Sequence, residues 1–268
     1  MAKPKKEPPR GILNHQKGDL FGLSRYHPND QLAYFIEHYW IVRWDLRGKE
    51  PYEQDVLSHP SVHLVFEKGN TRIWGIVTGK FARKLEEKGK VLGVKFRPGG
   101  FYPFYKKPVV EIMDTQLSCS HLLEENSESL ESQILDHEED ETMVEQAELY
   151  LMRHLPPKDS NVEDVCSIVK TIEHDNSIRK VEDIADQFDI SKRTIQRLFR
   201  RYVGAGPKWV IKRYRLHEAA EQLSAGKSHN WTQLALELGY YDQAHFIRDF
   251  KAIVGQTPVN FVESLHRE

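Results

Sequence analysis

The sequence predicts a two-domain α+β protein, with a β-rich N-terminal part and an all-α C-terminal part. Three observations carry that prediction. At ~150 residues per domain, the 268 residues predict about two domains. Strand-like runs broken by Gly and Pro fill residues 39–98. Beyond Pro156-Pro157 the apolar residues recur at helical spacing to the end.

Taken in order, residues 1–18 (MAKPKKEPPRGILNHQKG) form a basic, Pro-rich tail without an apolar stretch. Asn29 or Asp30 can cap a short helix over 31–36. YWIVRWDL (39–46), HPSVHLVFE (59–67), TRIWGIVTG (71–79) and KVLGVKFRP (90–98) read as strands. Short strands joined by turns predict a small barrel or sandwich. Residues 105–154 read as helices, with Met143, Ala147 and Leu151 on one face of the last. This gives a first domain over 19–154, a linker at 155–160 (LPPKDS) and a second domain over 161–268.

Composition excludes several classes. With 39% hydrophobic and 29% charged residues the chain is ordinary globular material. No run approaches the ~18 apolar residues of a membrane span. The N-terminal tail is not a secretory signal, which predicts the cytoplasm. Cys119 and Cys166 are too far apart for a disulfide scaffold, a redox pair or a cysteine zinc cage. No P-loop, GxGxxG, HExxH or GxSxG pattern is present. No catalytic residue and no cofactor is therefore expected.

A net charge of −2 hides a strong segregation. Residues 111–150 hold 13 acidic residues and no Lys or Arg. Residues 191–215 hold 9 basic residues and no acidic one. Such a positive segment is what a phosphate backbone attracts.

The basic segment has a helical frame. Val181, Ile184, Ala185 and Phe188 make one helix face. After a short turn Ser191 can cap a second helix, whose inner face is Ile195, Leu198, Phe199 and Tyr202. That leaves Arg193, Gln196, Arg197, Arg200 and Arg201 outward. Arg and Gln are the side chains that read guanine and adenine edges bidentately, and the first turns of a recognition helix are where they do so. The pattern then repeats. Thr232 starts a helix that Gly239 ends. Asp242 caps another helix, with Phe246, Phe250 and Ile253 inside and Gln243, Ala244, His245 and Arg248 outside. Between the two modules Pro207 opens an amphipathic helix to about Leu223, a rod of about 25 Å. The caps Ser191 and Asp242 are 51 residues apart. A rigid spacer of this kind can set two helices in successive major grooves, about 34 Å apart.

IADQFDISKRTIQRLFRRYVGAGPK (184–208), IKRYRLHEAAEQL (211–223) and ALELGYYDQAHFIRDFKAIVGQTPVNF (235–261) together resemble the DNA-binding domain of AraC/XylS-type bacterial transcription regulators. The resemblance implies a sequence-specific regulator of transcription bound to double-stranded DNA. It implies base contacts from Arg193, Gln196 and Arg197 and from Gln243, Ala244 and Arg248. Ala244 departs from family members with a polar residue there and is limited to a thymine methyl. Phosphate contacts are expected from Ser191, Lys192, Arg200, Lys208, Thr232 and His245. YWIVRWDLRGKEPYEQ (39–54), HPSVHLVFE (59–67) and GVKFRPGGFYPF (93–104) resemble the domain that precedes this unit in a subset of AraC-type proteins. By that analogy it is a cupin-like barrel that senses a small molecule or mediates assembly. Homodimerisation and RNA polymerase are candidate roles for the acidic helices.

Other readings stay open at this point. His59, His63 and Glu67 alternate on one face if 59–67 is a strand, so a metal-dependent or enzymatic first domain tethered to DNA is one alternative. A constitutive DNA binder with a purely protein-interacting first domain is another. Trp40, Trp44, Trp74 and Phe66 are either core or the lining of an apolar pocket. Lys80, Arg83, Lys84, Lys88 and Lys90 read as a solvated hairpin or an anion site, and Cys166 reads as packing.

Overall fold

A computed structural model describes residues 3–4, 21–118, 127–226 and 231–265. Nearly all of the basic tail, and Cys119, lie outside the described residues.

The N-terminal half is built on strands β1 (Lys3–Pro4), β2 (Phe21–His27), β3 (Ile36–Asp45), β4 (Tyr52–Val56), β5 (His63–Glu67), β6 (Arg72–Trp74), β7 (Phe81–Leu85) and β8 (Lys88–Phe96). The turn helix α1 (Tyr102–Tyr105) and the short strand β9 (Gln116–Ser118) follow. Helices α2 (Ser127–Leu135) and α3 (Asp140–Arg153) complete this half. Seven strands form one antiparallel sheet in the order β1-β2-β3-β8-β5-β6-β9, and β4 and β7 form a separate two-stranded sheet. The larger sheet ends on different strands at its two edges, so it is open and the expected closed barrel is not formed.

The sheet has two faces with different occupants, as period-2 alternation requires. Tyr39, Ile41, Leu64, Phe66, Leu92 and Val94 are buried. They belong to one core with Leu130, Ile134, Met143, Val144 and Ala147 of α2 and α3. Part of the acidic segment serves this packing instead of facing solvent. Asp140 pairs with Arg43 at 2.7 Å. Glu148 accepts from Asn29 at 2.7 and 3.0 Å. Glu131, 7% exposed, accepts from the Gly69 amide at 2.7 Å. The helix expected over 31–36 is a 3-10 turn, Leu32–Tyr34. The all-helical reading of 105–154 is corrected by β9 and by a second 3-10 turn at Val109–Ile112.

The C-terminal half contains α4 (Ser160–His174), α5 (Val181–Phe188), α6 (Lys192–Leu198), α7 (Pro207–Ser224), α8 (Trp231–Glu237), α9 (Gln243–Val254) and α10 (Pro258–Leu265). A π-turn, Phe199–Val203, extends α6. The first module (α4 to α6) shares one continuous core with the β-rich half, while α8 to α10 and the end of α7 form a second core that Leu57 of the β-rich half joins. Gly204 shows how tight the junction is. Its φ is +96°, and an added Cβ would meet Val109 at 2.9–3.1 Å, so both conformation and space favour glycine there. No helix among the described residues is long and apolar enough to cross a membrane.

Candidate nucleic-acid interface and the cavity behind it

Each recognition helix starts on a side-chain cap. Ser191 Oγ accepts from the Thr194 amide at 3.1 Å, and Asp242 accepts from the His245 amide at 2.7 Å. These caps fix where the first exposed turn begins. In α6, Ile195, Leu198, Phe199 and Tyr202 are buried, and Lys192, Arg193, Gln196, Arg197 and Arg200 are exposed. In α9, Phe246, Phe250 and Ile253 are buried, Ala244 and Arg248 are exposed, and Gln243 and His245 are half-buried. The geometry therefore leaves Arg193, Gln196 and Arg197 outward in the first predicted base-reading set and Ala244 and Arg248 in the second, while Gln243 is half-buried.

Several of the predicted phosphate contacts have protein partners. Lys192 pairs with Glu182 at 2.8 Å. Thr232 Oγ1 donates to Gln243 Oε1 at 2.9 Å. His245 stands 3.3 Å from Asp249, which Lys212 also engages at 2.9 Å. Asp249 is thus engaged by Lys212 and His245, and Arg248 stays outward. Lys208 is exposed on the first turn of α7.

Two members of the basic run face inward, which sequence reasoning missed. Arg213 is fully buried. Its guanidinium donates to the carbonyls of Ser58 (2.7 Å), Thr78 (3.4 Å) and Gly79 (3.2 Å) in the β-rich half. Burial pushes it down to about 10, with Asp114 acting the other way. Arg215 donates to Asn176 Oδ1 and to the carbonyls of Ile172, Asp175 and Ile178, tying α7 to the end of α4. Beside Arg213, the His217 ring contacts the Ser58 carbonyl at 3.2 Å and stacks on His59 at 4.3 Å. Arg201 donates to the Tyr102 hydroxyl, and the Tyr202 hydroxyl donates to Asp159 at 2.6 Å. Their partners are backbone carbonyls or distant residues, so no local signal marks them.

Behind this junction lies a cavity of about 930 Å³ between the open sheet and the β4/β7 ribbon. Trp40, Trp44 and Trp74 line it. Phe66 does not: it points to the other sheet face and is fully buried. Tyr214 of α7 and Cys166, Val169 and Lys170 of α4 complete the wall. The Cys166 thiol donates to the Pro98 carbonyl at 3.1 Å, in keeping with a packing role.

His59, His63 and Glu67 are not gathered as a metal site. The strand begins at His63, so His59 stands in the preceding loop against α7. His63 accepts from the Trp40 indole at 3.2 Å, and Glu67 pairs with Arg83. No group of three potential ligands is found among the described residues. The basic hairpin is likewise neutralised in part, since Lys80 pairs with Asp55 at 2.8 Å and Lys84 with Glu86 at 2.8 Å.

Two helix-turn-helix units joined by a long helix, on a β-rich companion domain, define a DNA-binding transcription regulator of AraC type. Residues 184–264 match a family model described as a helix-turn-helix domain. Residues 24–118 match a domain of unknown function, DUF6597. The probable transcription factor PqrA of Proteus vulgaris is 32% identical over 103 residues, covering 38% of this chain and 84% of that protein. An uncharacterized HTH-type transcriptional regulator of Haemophilus influenzae is 24% identical over 132 residues, covering 49% of this chain and 42% of that one. The solved structure of a probable AraC family transcriptional regulator from Rhodopseudomonas palustris shares 28% identity. That match covers 40% of this chain and 98% of the other, with a TM-score of 0.35. The chain belongs to the AraC/XylS-type family of transcription regulators.

Proposed function

We propose that this chain is a ligand-responsive regulator whose β-rich half senses a small molecule and passes its state to two DNA-reading helices. In this reading α6 and α9 enter successive major grooves. Arg193, Gln196, Arg197, Gln243 and Arg248 contact base edges, and Ala244 contacts a thymine methyl. Lys192, Arg200 and Lys208 contact phosphates, helped by Ser191, Thr232 and His245 at the helix starts. The first domain, 19–154, acts as sensor and not as catalyst, and the protein works in the cytoplasm.

One observation carries the sensing half: the cavity wall is made by both halves of the chain, with Tyr214 of α7 closing it. A molecule inside touches the sheet and the DNA-binding half at once. Two measurements test the reading. Footprinting on DNA selected from a random library should protect two patches one helical turn apart, about 34 Å; a single patch overturns the two-helix assignment. Filling the cavity with Val65→Trp should change affinity for that DNA in a protein whose circular dichroism is unaltered. Unchanged affinity overturns the sensing assignment.

A further inference from the structure

We propose that the cavity takes a flat aromatic molecule bearing one anionic group, with its ring on the indole face of Trp40 and its charge at Lys95. The inference rests on the sensing reading above and adds the chemical class of the ligand.

The register places the cavity-facing residues in rows. His38, Lys95, His63 and Trp74 stand side by side on β3, β8, β5 and β6. The next row is Trp40, Gly93 and Val65, and two rows on Trp44 stands opposite Gly89. Both glycines are there for the indoles. A Cβ on Gly93 would fall 1.9 Å from the Trp40 ring, and one on Gly89 would fall 2.2 Å from the Trp44 ring. Each indole thus lies across the bare backbone of its neighbour. Each ring N–H is already bound, Trp40 to His63 Nδ1 at 3.2 Å and Trp44 to the Glu86 carbonyl at 3.0 Å. The surface they offer the cavity is therefore π face, held in one orientation before any ligand arrives.

A flat ring gains both buried area and ring-on-ring attraction on such a floor, whereas a flexible chain gains area alone and loses rotamer freedom. At the end of the polar row Trp74 meets Phe81 of the β4/β7 ribbon edge to face at 5.3 Å. A volume of about 930 Å³ suits a molecule of drug size.

The polar row sets the sign of the charge. Lys95 is 7% exposed, with its Nζ 3.0 Å from Glu37. Arg97 and Lys170 line the same cavity, and Glu173 is the other carboxylate nearby; Glu67 and Arg83 neutralise each other. Cations therefore exceed anions around the polar row. His63 uses Nδ1 as an acceptor, which leaves its protonated Nε2 to donate toward a ligand oxygen. Burial and the Lys95 charge keep this imidazole neutral. An anionic group meets Lys95 and a donor imidazole at the end of the aromatic floor.

The test uses the full chain and the fluorescent probe 7-methoxycoumarin-3-carboxylate, followed by anisotropy. The expected result is saturable binding that decanoate does not displace and that weakens about tenfold for the uncharged parent 7-methoxycoumarin. Trp40→Leu and Gly93→Ala should each weaken the probe about tenfold, with binding to the selected DNA showing that the fold is kept. Two substitutions on separate strands guard against one that fails to fold. No saturable binding, or displacement by decanoate, overturns the proposal. A further arm separates it from the sensing reading. If the probe binds but leaves DNA affinity unchanged, the ligand class stands and sensing fails. If decanoate and not the probe changes DNA affinity, sensing stands and the class proposed here is wrong.

Discussion

Arg197 leaves α6 on the exposed side, one position before the buried Leu198 that anchors the helix. Arg197→Ala is expected to cost about 1–3 kcal/mol on the preferred DNA and to relax the preference at one base pair. Equal weakening on all sequences, measured by titrating a panel of single-base variants, would show a phosphate contact instead. Arg200→Ala is expected to reduce the slope of log affinity against log salt by about one, and an unchanged slope places Arg200 off the DNA. At this scale the sequence was legible where the physics is local. Ser191 and Asp242 cap because their oxygens reach amides three residues on. It was illegible where the partner is remote. Arg213 counted as one more cation in a basic run, and only the Ser58, Thr78 and Gly79 carbonyls make it a clamp.

Among elements, the helices of the C-terminal half were legible because an apolar stripe of period 3.6 was enough to place them. The central strands β3 and β8 were equally clear, being long and mostly apolar. The ribbon β4/β7 was not: Tyr52–Val56 and Phe81–Leu85 carry Glu, Asp, Arg and Lys between their apolar residues, so the first gave no strand signal and the second read only as a solvated hairpin or an anion site. One wall of the cavity was hidden for that reason. The closed barrel expected from strand count alone failed because strand count does not specify edges. Where the two halves meet, Gly204 sits against Val109 at the end of the π-turn that follows α6. Gly204→Ala is expected to destabilise the chain by about 1–3 kcal/mol, from positive φ and the Val109 contact together. A urea midpoint equal to wild type would show that the turn relaxes freely.

For the molecule as a whole, the enclosed histidines set an acid limit. Burial first, and the Lys95 charge second, push His63 down to about 3, and His59 is held well below its ordinary value by burial, Lys95, His217 and Arg213. Between an unfolded value of about 6.5 and these depressed native ones, the unfolded chain binds protons that the native chain refuses. Stability is therefore full above pH ~6.5 and declines as pH falls below it. Glu37 acts in the same sense lower down. Burial raises it, but Lys95 and His38 hold it below the ordinary carboxylate range. The urea midpoint is expected to fall between pH 7.5 and pH 5 by less in His63→Gln than in wild type. An identical fall would remove His63 from the account.

The clamp at Arg213 also determines how the two halves come apart. Separating them strands a cation and three carbonyls together, along with the stacked pair His59 and His217. The fully buried Arg213 finds no water until the gap is wide enough to admit it, so a slightly opened junction loses its contacts and gains little in exchange. Intermediate openings are thus expected to be the least stable arrangements. The junction is expected to act as a latch with two positions and no graded travel between them. Fluorophores placed on β4 and α8 should report two discrete distances whose populations change with conditions, not one distance that drifts.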